Sequence, residues 1–281
     1  MTTLMHHYPR ATWRLLLEDH PRTGVENMAT DEAIMDAVAA GDVPPTLRLY
    51  QWAPPALSLG KRQPLGGVLF DRCARDGVQV VRRVTGGLAI LHTDELTYSI
   101  ATRPDDPRAA GAILDAYRSL SEGLVIALTT LAIQPEMAPV SPGATHSVSA
   151  VCFEQPSAYE ISVDGRKLIG SAQVRPQGRV LQHGSLPLSG DIGRIVDYLR
   201  FDSDDERESL RHHLRDRATT LSAVLGHAVL YAEAAAALSQ GFAIALNLDL
   251  APGELTSAER SAADRLAEAK RAEVQSEMPV G

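Results

Sequence analysis

The sequence predicts an α+β fold: a mixed, largely antiparallel sheet flanked by helices, with a helical segment at the C-terminal end. Two patterns carry this prediction. Short apolar and β-branched runs, separated by Pro, Gly or charged residues, recur before about residue 200, whereas helical periodicity dominates after it. Strands followed by segregated helices are typical of α+β proteins.

Each element follows from a local pattern. Apolar periodicity predicts a first helix over residues 28–40, with Thr30 and Asp31 at its N-terminal turn and Gly41 ending it. Five β-like runs follow, at residues 46–52, 56–59, 78–83, 88–92 and 96–101. A second amphipathic helix is predicted over residues 108–132.

The next segment is predicted to be an antiparallel meander. Asp164-Gly165 separates two strand-like runs, and an Asp-Gly pair accepts the positive φ angles of a two-residue hairpin turn. Pro176-Gln177-Gly178 predicts a second reversal, which leads into a strand over residues 180–188. We expect a catalytic domain over residues 13–200 and a helical segment over residues 201–275 packed on it, with a capping box from Thr256 to Glu259.

Composition narrows the class of function. The chain carries 27 Lys and Arg against 35 Asp and Glu, a net charge of −8, which argues against a nucleic-acid backbone as partner. Two cysteines are too few for a disulfide framework or a multi-cysteine metal site. No apolar run approaches the roughly 20 residues of a membrane span, and the N-terminal residues lack the apolar region of a secretory signal. We therefore expect a cytoplasmic protein with a small-molecule or protein substrate and no membrane partner.

A glycine-rich loop is the first candidate for chemistry. Arg82-Arg83-Val84-Thr85-Gly86-Gly87 follows a β-branched run and precedes a strand ending at His92. Adjacent glycines let backbone N–H groups approach a ligand, and arginines bind carboxylate or phosphate groups. A tight turn with solvated charges is the alternative interpretation. His92 either contacts the substrate or is a structural histidine.

Cys152 and Lys167 are the candidates for covalent chemistry. A cysteine thiolate is a strong nucleophile that suits acyl transfer when a nearby positive charge lowers its pKa, and Lys167, beyond the predicted hairpin, supplies such a charge. The alternatives are an interior Cys152 and a solvated Lys167, since a free cysteine is more often buried. Cys73 has no such surroundings and is predicted to lie in the core.

Small residues after Lys167 leave room for a ligand beside the strand. Gly170, Ser171 and Ala172 form this run, and His183-Gly184 lies in the following predicted strand. His183 either orients the substrate or acts as a base, and a structural histidine bonded to the backbone is the alternative.

Together these segments resemble the lipoate/octanoate protein ligase and transferase family, whose catalytic domain is related to the biotin protein ligases. The resemblance runs from about Trp13 to Leu188, with a helical tail of familiar type to about Arg271. Its hallmarks are the loop from Arg82 to Gly87 with His92 after it, and the Asp-Gly-Arg-Lys-Leu-Ile-Gly-Ser-Ala-Gln segment at residues 164–173 followed by Gln182-His183-Gly184.

The resemblance implies an activity. The segment around Cys152 is similar to the nucleophile loop of octanoyltransferases that have a ligase-like sequence. By resemblance, Cys152 takes the octanoyl group from octanoyl acyl-carrier protein and passes it to a lysine of a lipoyl domain or of the glycine-cleavage H protein, with Lys167 at the acyl carbonyl and no cofactor or metal. The resemblance also implies a monomer.

Two related activities stay open at this point. An ATP-dependent lipoate ligase would use Arg82, Lys167 and the Gly86-Gly87 loop to hold phosphates and would leave Cys152 incidental. An amidotransferase would take its acyl group from H protein and would also need Cys152. A non-catalytic acyl-binding protein is disfavoured because Cys152 and Lys167 are both present.

Overall fold

The strands of the described residues form two sheets. The computed structural model describes residues 8–137 and 160–277. The strands in this part of the chain are β1 (Ala11–Leu17), β2 (Thr46–Tyr50), β3 (Ala56–Leu59), β4 (Gln79–Arg82), β5 (Ile90–His92), β6 (Glu95–Thr102), β7 (Glu136–Met137), β8 (Ile161–Val163), β9 (Arg166–Val174), β10 (Val180–Pro187) and β11 (Leu248–Pro252).

Helices flank these sheets. They are α1 (Gly24–Ala40), α2 (Phe70–Arg75), α3 (Ile113–Thr130), α4 (Asp204–Arg217), α5 (Leu221–Leu225), α6 (Tyr231–Ala245) and α7 (Ser257–Glu277), with short 3-10 helices at Leu65–Gly67 and Ile192–Tyr198. None of the helices in the described ranges is long and apolar enough to span a membrane.

The main sheet is mixed and largely antiparallel. Among the described residues its strand order is β11-β1-β2-β6-β10-β9-β8-β7, and only the β11-β1 and β1-β2 pairs are parallel. The smaller sheet has the order β4-β3-β5. An α+β fold with a mixed sheet, as predicted from the sequence, is confirmed.

Helix α1 begins four residues before the predicted start. Its N-cap is Thr23, which forms a capping box with Glu26, and Gly41 ends it with a φ of 81°. The expectation that Thr30 and Asp31 form the N-terminal turn is wrong, because the Thr23–Glu26 box caps the helix seven residues before Thr30. Asp31 lies instead within the helix and is buried.

Strands β1 and β11 were missed by the sequence analysis. They pair in parallel at one end of the main sheet, so the segment after residue 200 contributes a strand as well as helices. Neither strand has a clear period-2 pattern: β1 ends in three consecutive leucines, and β11 is five residues long and ends in Pro252. An edge strand tolerates proline because one of its sides makes no ladder hydrogen bonds.

The hairpin between β8 and β9 forms as predicted. Asp164 and Gly165 have φ angles of 50° and 71°, which is the left-handed backbone that an Asp-Gly turn accepts. Gln177 and Gly178 also have positive φ angles, 42° and 78°, at the predicted reversal before β10. The antiparallel meander of β8, β9 and β10 is therefore confirmed.

Two glycines bring α6 against α3. An added Cβ at Gly123 would lie 2.1 Å from the ring of Phe242, and one at Gly241 would lie 2.3 Å from the carbonyl oxygen of Gly123. The helices cross too closely for side chains at these positions. Helix α6 thus covers α3 and the core face of the main sheet, where Phe242 and Tyr98 pack ring to ring.

Candidate active site

The glycine-rich loop folds around the guanidinium group of Arg83. This loop, residues 82–87, connects β4 to β5, and Arg83 donates to the carbonyl oxygens of Gly86 at 2.9 Å and Leu88 at 2.7 Å. A third hydrogen bond, 3.0 Å long, reaches the carbonyl of Ser58 on β3. The side chain is buried. Arg83 therefore fixes the conformation of the loop, a role that the sequence did not predict; anion binding by it stays a prediction.

Arg82 is buried on the other side of the same loop. Its guanidinium group donates to the carbonyl oxygens of Gly60 at 3.0 Å and Gln63 at 2.8 Å. Gly60 in turn touches the loop backbone, since an added Cβ there would lie 2.0 Å from the carbonyl oxygen of Gly87. Gly87 has a φ of 96°, which glycine adopts without strain. Gly60 was missed because nothing in its local sequence signals a contact with residues 86–87.

Thr85 and His183 join the loop to the main sheet. The Nε2 atom of His183, on β10, lies 2.7 Å from Oγ1 of Thr85, and both residues are buried. The other ring nitrogen, Nδ1, lies 3.3 Å from Oδ2 of Asp31. The ring of His183 thus lies between Asp31 on α1 and Thr85 in the loop, with one nitrogen facing each of them.

Asp31 is an ionised carboxylate enclosed by donors. Arg48 and Ser99 donate to its Oδ1 at 2.7 and 2.8 Å, and Tyr50 donates to its Oδ2 at 2.9 Å. Burial raises the pKa of Asp31, but Arg48 and His183 outweigh burial and hold the pKa below its ordinary value. The sequence analysis assigned Asp31 to a helix start. The available signal for a buried role was that Asp31 is an acidic residue on the apolar face of a helix.

His92 takes part in a second chain of hydrogen bonds. Its Nδ1 lies 2.7 Å from Oε1 of Glu95, and its Nε2 lies 2.8 Å from Oγ of Ser58, the same residue that Arg83 contacts. The ring stacks on Trp52 with centroids 3.9 Å apart. His92 therefore binds the side chains of Glu95 and Ser58, and Ser58 in turn contacts Arg83.

Glu95 anchors this second chain to β10. Ser185 donates to its Oε2 at 2.5 Å and Thr97 to its Oε1 at 2.5 Å. Burial opposes ionisation, but the interaction with His92 and the hydrogen bond from Ser185 lower the pKa of Glu95 below its ordinary value. Two carboxylate–imidazole–hydroxyl chains, Asp31–His183–Thr85 and Glu95–His92–Ser58, thus connect the sheet to the loop.

Lys167 lies at the start of β9, in the hairpin strand after the Asp-Gly turn. Its ammonium group donates to Oε1 of Glu160, and both side chains are buried. The carbonyl oxygen of Lys167 accepts a hydrogen bond of 2.9 Å from the backbone of Thr219, so the chain after α4 covers this strand. The Lys167 ammonium group is therefore a buried charge that is paired with a carboxylate.

The small residues of β9 pair with β10. Gly170 lies opposite Ser185, Ser171 opposite Gly184, and Ala172 opposite His183. They follow Lys167 by about 10 to 17 Å along the strand at the usual rise per residue.

Gly184 permits close packing at this crossing. A Cβ there would lie 2.4 Å from Oγ of Ser171 and 2.6 Å from the ring of Tyr98, whose hydroxyl bonds Ser171 at 2.7 Å. Register and hydrogen bonds thereby connect Thr85, His183 and residues 170–172.

Of the two cysteines, the structure describes only Cys73. Cys152, the predicted nucleophile, lies outside the described residues. Cys73 lies in α2 and is buried, and burial raises the pKa of its thiol to about 11. A thiol with that pKa stays protonated near neutral pH, and the thiolate is the nucleophile. Cys73 is therefore a core residue, as predicted.

Within residues 8–137 and 160–277, no cluster of three or more His, Cys, Asp or Glu side chains is arranged to hold a metal ion. The buried carboxylates of Asp31 and Glu95 are bound by hydroxyl, imidazole and guanidinium groups.

The fold, the glycine-rich loop and the lysine-bearing hairpin together define a catalytic domain of the lipoyl ligase type. The model of the lipoyl protein ligase A/B catalytic domain matches residues 23–243. The chain therefore belongs to this family.

Individual relatives refine the likeness. An octanoyltransferase LipM from Kyrpidia tusciae is 44% identical, with 91% of this chain and 94% of the relative covered. An octanoyltransferase LipM from Symbiobacterium thermophilum is 42% identical, with 92% and 95% covered. Among solved structures, the bi-partite lipoate protein ligase from Thermoplasma acidophilum, described with its E2 lipoyl domain, superposes with a TM-score of 0.76 at 25% identity over 92% of each chain. A lipoate-protein ligase A bound with ATP superposes with a TM-score of 0.74 at 26% identity, with 92% and 95% covered.

Proposed function

We propose that this chain is an octanoyltransferase of lipoate biosynthesis, which moves an octanoyl group from octanoyl acyl-carrier protein to a lysine of a lipoyl domain or of H protein. The similarity to octanoyltransferases over more than nine-tenths of the chain carries this proposal. The lipoyl domain described with the Thermoplasma ligase supports such a domain as the acceptor.

The reaction would proceed in two steps through Cys152. The Cys152 thiolate attacks the thioester carbon of the donor, and the carrier thiolate leaves, which forms octanoyl-Cys152. The neutral amine of the acceptor lysine then attacks this thioester. An amide forms, the amine loses a proton, and the Cys152 sulfur leaves as a thiolate. The energy of the thioester suffices for an amide, so no ATP is consumed.

Lys167 and the glycine-rich loop would support these steps. The Lys167 ammonium group would stabilise the negative charge that develops on the carbonyl oxygen, as would backbone N–H groups of Gly86 and Gly87. Thr85, Arg82, Arg83 and His183 would hold that loop in place. Gly170, Ser171, Ala172, Gly184 and His92 are proposed to line the acyl site, in a catalytic domain over residues 13–200 with residues 201–275 packed on it. We further propose a cytoplasmic monomer.

An ATP-dependent ligase is the second candidate, because a lipoate-protein ligase bound with ATP shares this fold. The guanidinium group of Arg82 weighs against it, since it binds the carbonyl oxygens of Gly60 and Gln63. In a ligase this arginine was expected to hold phosphate.

Intact mass spectrometry separates the candidates. The protein is mixed with octanoyl acyl-carrier protein without ATP, and we expect the mass to increase by one octanoyl group. Cys152→Ala should abolish the adduct, whereas the matched variant Cys73→Ala should retain it, because the Cys73 thiol is buried. Labelling that requires ATP and free octanoate would instead identify a ligase.

A further inference from the structure

The C-terminal helix α7 lies against the strand that leads into the glycine-rich loop. Ala267 of α7 packs in one apolar cluster with Met28 and Ala29 of α1 and with Val81 of β4. Val81 immediately precedes Arg82. Helix α7 also begins at Ser257, beyond residue 243 where the match to the family model ends. This helix therefore touches the candidate active site from outside the matched domain.

Lys270 of α7 is buried and binds the first residue of the loop. Its ammonium group donates to the carbonyl oxygen of Arg82 at 3.2 Å and forms an ion pair with Glu32 of α1. A buried ammonium group is stable only when it is paired and hydrogen-bonded. One of the groups that satisfy Lys270 is thus a backbone atom at the base of the loop.

Glu273 gives α7 a second contact with the same arginine. It follows Lys270 by three residues, so both side chains share one helix face, and its Oε1 lies 3.3 Å from Nε of Arg82. The far end of that guanidinium group binds the carbonyl of Gly60, whose backbone abuts Gly87. Contacts therefore run from α7 through Arg82 to the glycines of the loop.

We propose that Lys270 is a positioning residue for acyl transfer: it holds the Arg82 carbonyl and thereby keeps the glycine-rich loop in its active conformation. The effect on transfer rests on the function proposed above, whereas the effect on the loop does not. Lys270 touches no substrate in this proposal.

The test compares four variants of the full chain. Lys270→Met removes the ammonium group. The double variant Glu32→Gln/Lys270→Met also removes the partly buried carboxylate that would otherwise lose its Lys270 partner, so that folding is preserved. Lys270→Arg keeps a charged donor. Arg265→Met, at an exposed position of the same helix, is the matched control.

Three measurements are made on each variant: the melting temperature, amide hydrogen exchange of peptides covering residues 82–92, and octanoyl transfer with kcat and KM determined separately. We expect exchange in the loop to rise about tenfold in the Lys270→Met and double variants, because a lost charged hydrogen bond releases the loop. Exchange in β10 should not change. We expect kcat to fall by a similar factor while KM stays nearly constant. In Lys270→Arg, loop exchange and kcat should both return close to their wild-type values.

The double variant decides between positioning and general stability. If its melting temperature recovers while loop exchange and kcat stay altered, Lys270 acts through the Arg82 carbonyl. Recovery of all three readouts together, or a loop whose exchange never changes, would overturn the proposal. A wild-type protein without octanoyl transfer would refute the proposed function instead, and the exchange measurements would still test Lys270.

Discussion

The imidazole of His183 lies 2.7 Å from the hydroxyl of Thr85, a contact that joins the central sheet to the glycine-rich loop. The two residues are 98 positions apart in the chain. Both are buried, and Asp31 holds the opposite ring nitrogen. A residue of α1 therefore holds the ring that contacts the Thr85 hydroxyl.

This contact predicts a selective effect of Thr85→Val. The substitution keeps the shape of the side chain and leaves Nε2 of His183 without the Thr85 hydroxyl, which costs about 1–3 kcal/mol for a buried polar group. If the loop depends on this bond, we expect octanoyl transfer to slow by roughly tenfold. Steady-state kinetics with octanoyl acyl-carrier protein measure it. Thr85→Ser, which keeps the hydroxyl, is the control, and equal rates for Val and Ser would contradict the prediction.

The lowered pKa of Asp31 predicts a pH-dependent contribution to stability. A carboxyl group whose pKa is lower in the folded than in the unfolded state stabilises the fold above its ordinary pKa, here 3.8, and loses that contribution as the pH falls through the lowered value. We expect Asp31→Asn to destabilise the protein most near neutral pH. The difference from wild type should shrink as the pH falls below 3.8.

Urea unfolding at a series of pH values measures this difference. Asp36→Asn on the same helix is the matched control, because the Asp36 side chain is half exposed. It should show little difference at any pH. A destabilisation by Asp31→Asn that does not vary with pH would mean that packing, and not the charge, accounts for it.

The contact between Gly60 and Gly87 predicts that Gly60→Ala is not tolerated. A Cβ at Gly60 would lie 2.0 Å from a backbone carbonyl, which cannot move without shifting the loop. We expect a loss of about 1–3 kcal/mol of stability from overpacking, and a larger relative loss of transfer activity. Thermal unfolding and transfer assays check both. Gly66→Ala is the control, because a Cβ there meets no atom within 4 Å; similar effects at both positions would refute this account.

Local signals account for what the sequence predicted well. The Asp164-Gly165 turn and strand β3 were predicted from neighbouring residues only, and the structure has both as expected. The glycine-rich loop and Lys167 were found from motifs that are contiguous in the chain. A contiguous motif states which residue types are present, but it does not state what those residues contact.

The supporting residues of the site could not be found in this way. Asp31 and His183 are 152 positions apart, and Ser58 lies 34 positions from His92. Such pairs meet only after the sheet has formed, so a single sequence holds no record of them. Gly60 was overlooked for the same reason, because its close contact is with residues 86–87, which belong to the loop between β4 and β5. Cooperative folding, and not local propensity, brings these groups together.

The Lys167–Glu160 pair separates a catalytic from a structural role for the lysine. Lys167→Met alone removes one partner of the buried Glu160, and an incompletely paired buried charge costs about 3–5 kcal/mol. A loss of activity in that variant would therefore be ambiguous.

The variant Glu160→Gln/Lys167→Met removes both charges, and we expect it to unfold at nearly the wild-type temperature. If the ammonium group stabilises charge on the acyl carbonyl, transfer should still be slower by about 100-fold. Differential scanning calorimetry and single-turnover transfer from octanoyl acyl-carrier protein make the comparison. Full activity in the stable double variant would assign Lys167 to the fold alone.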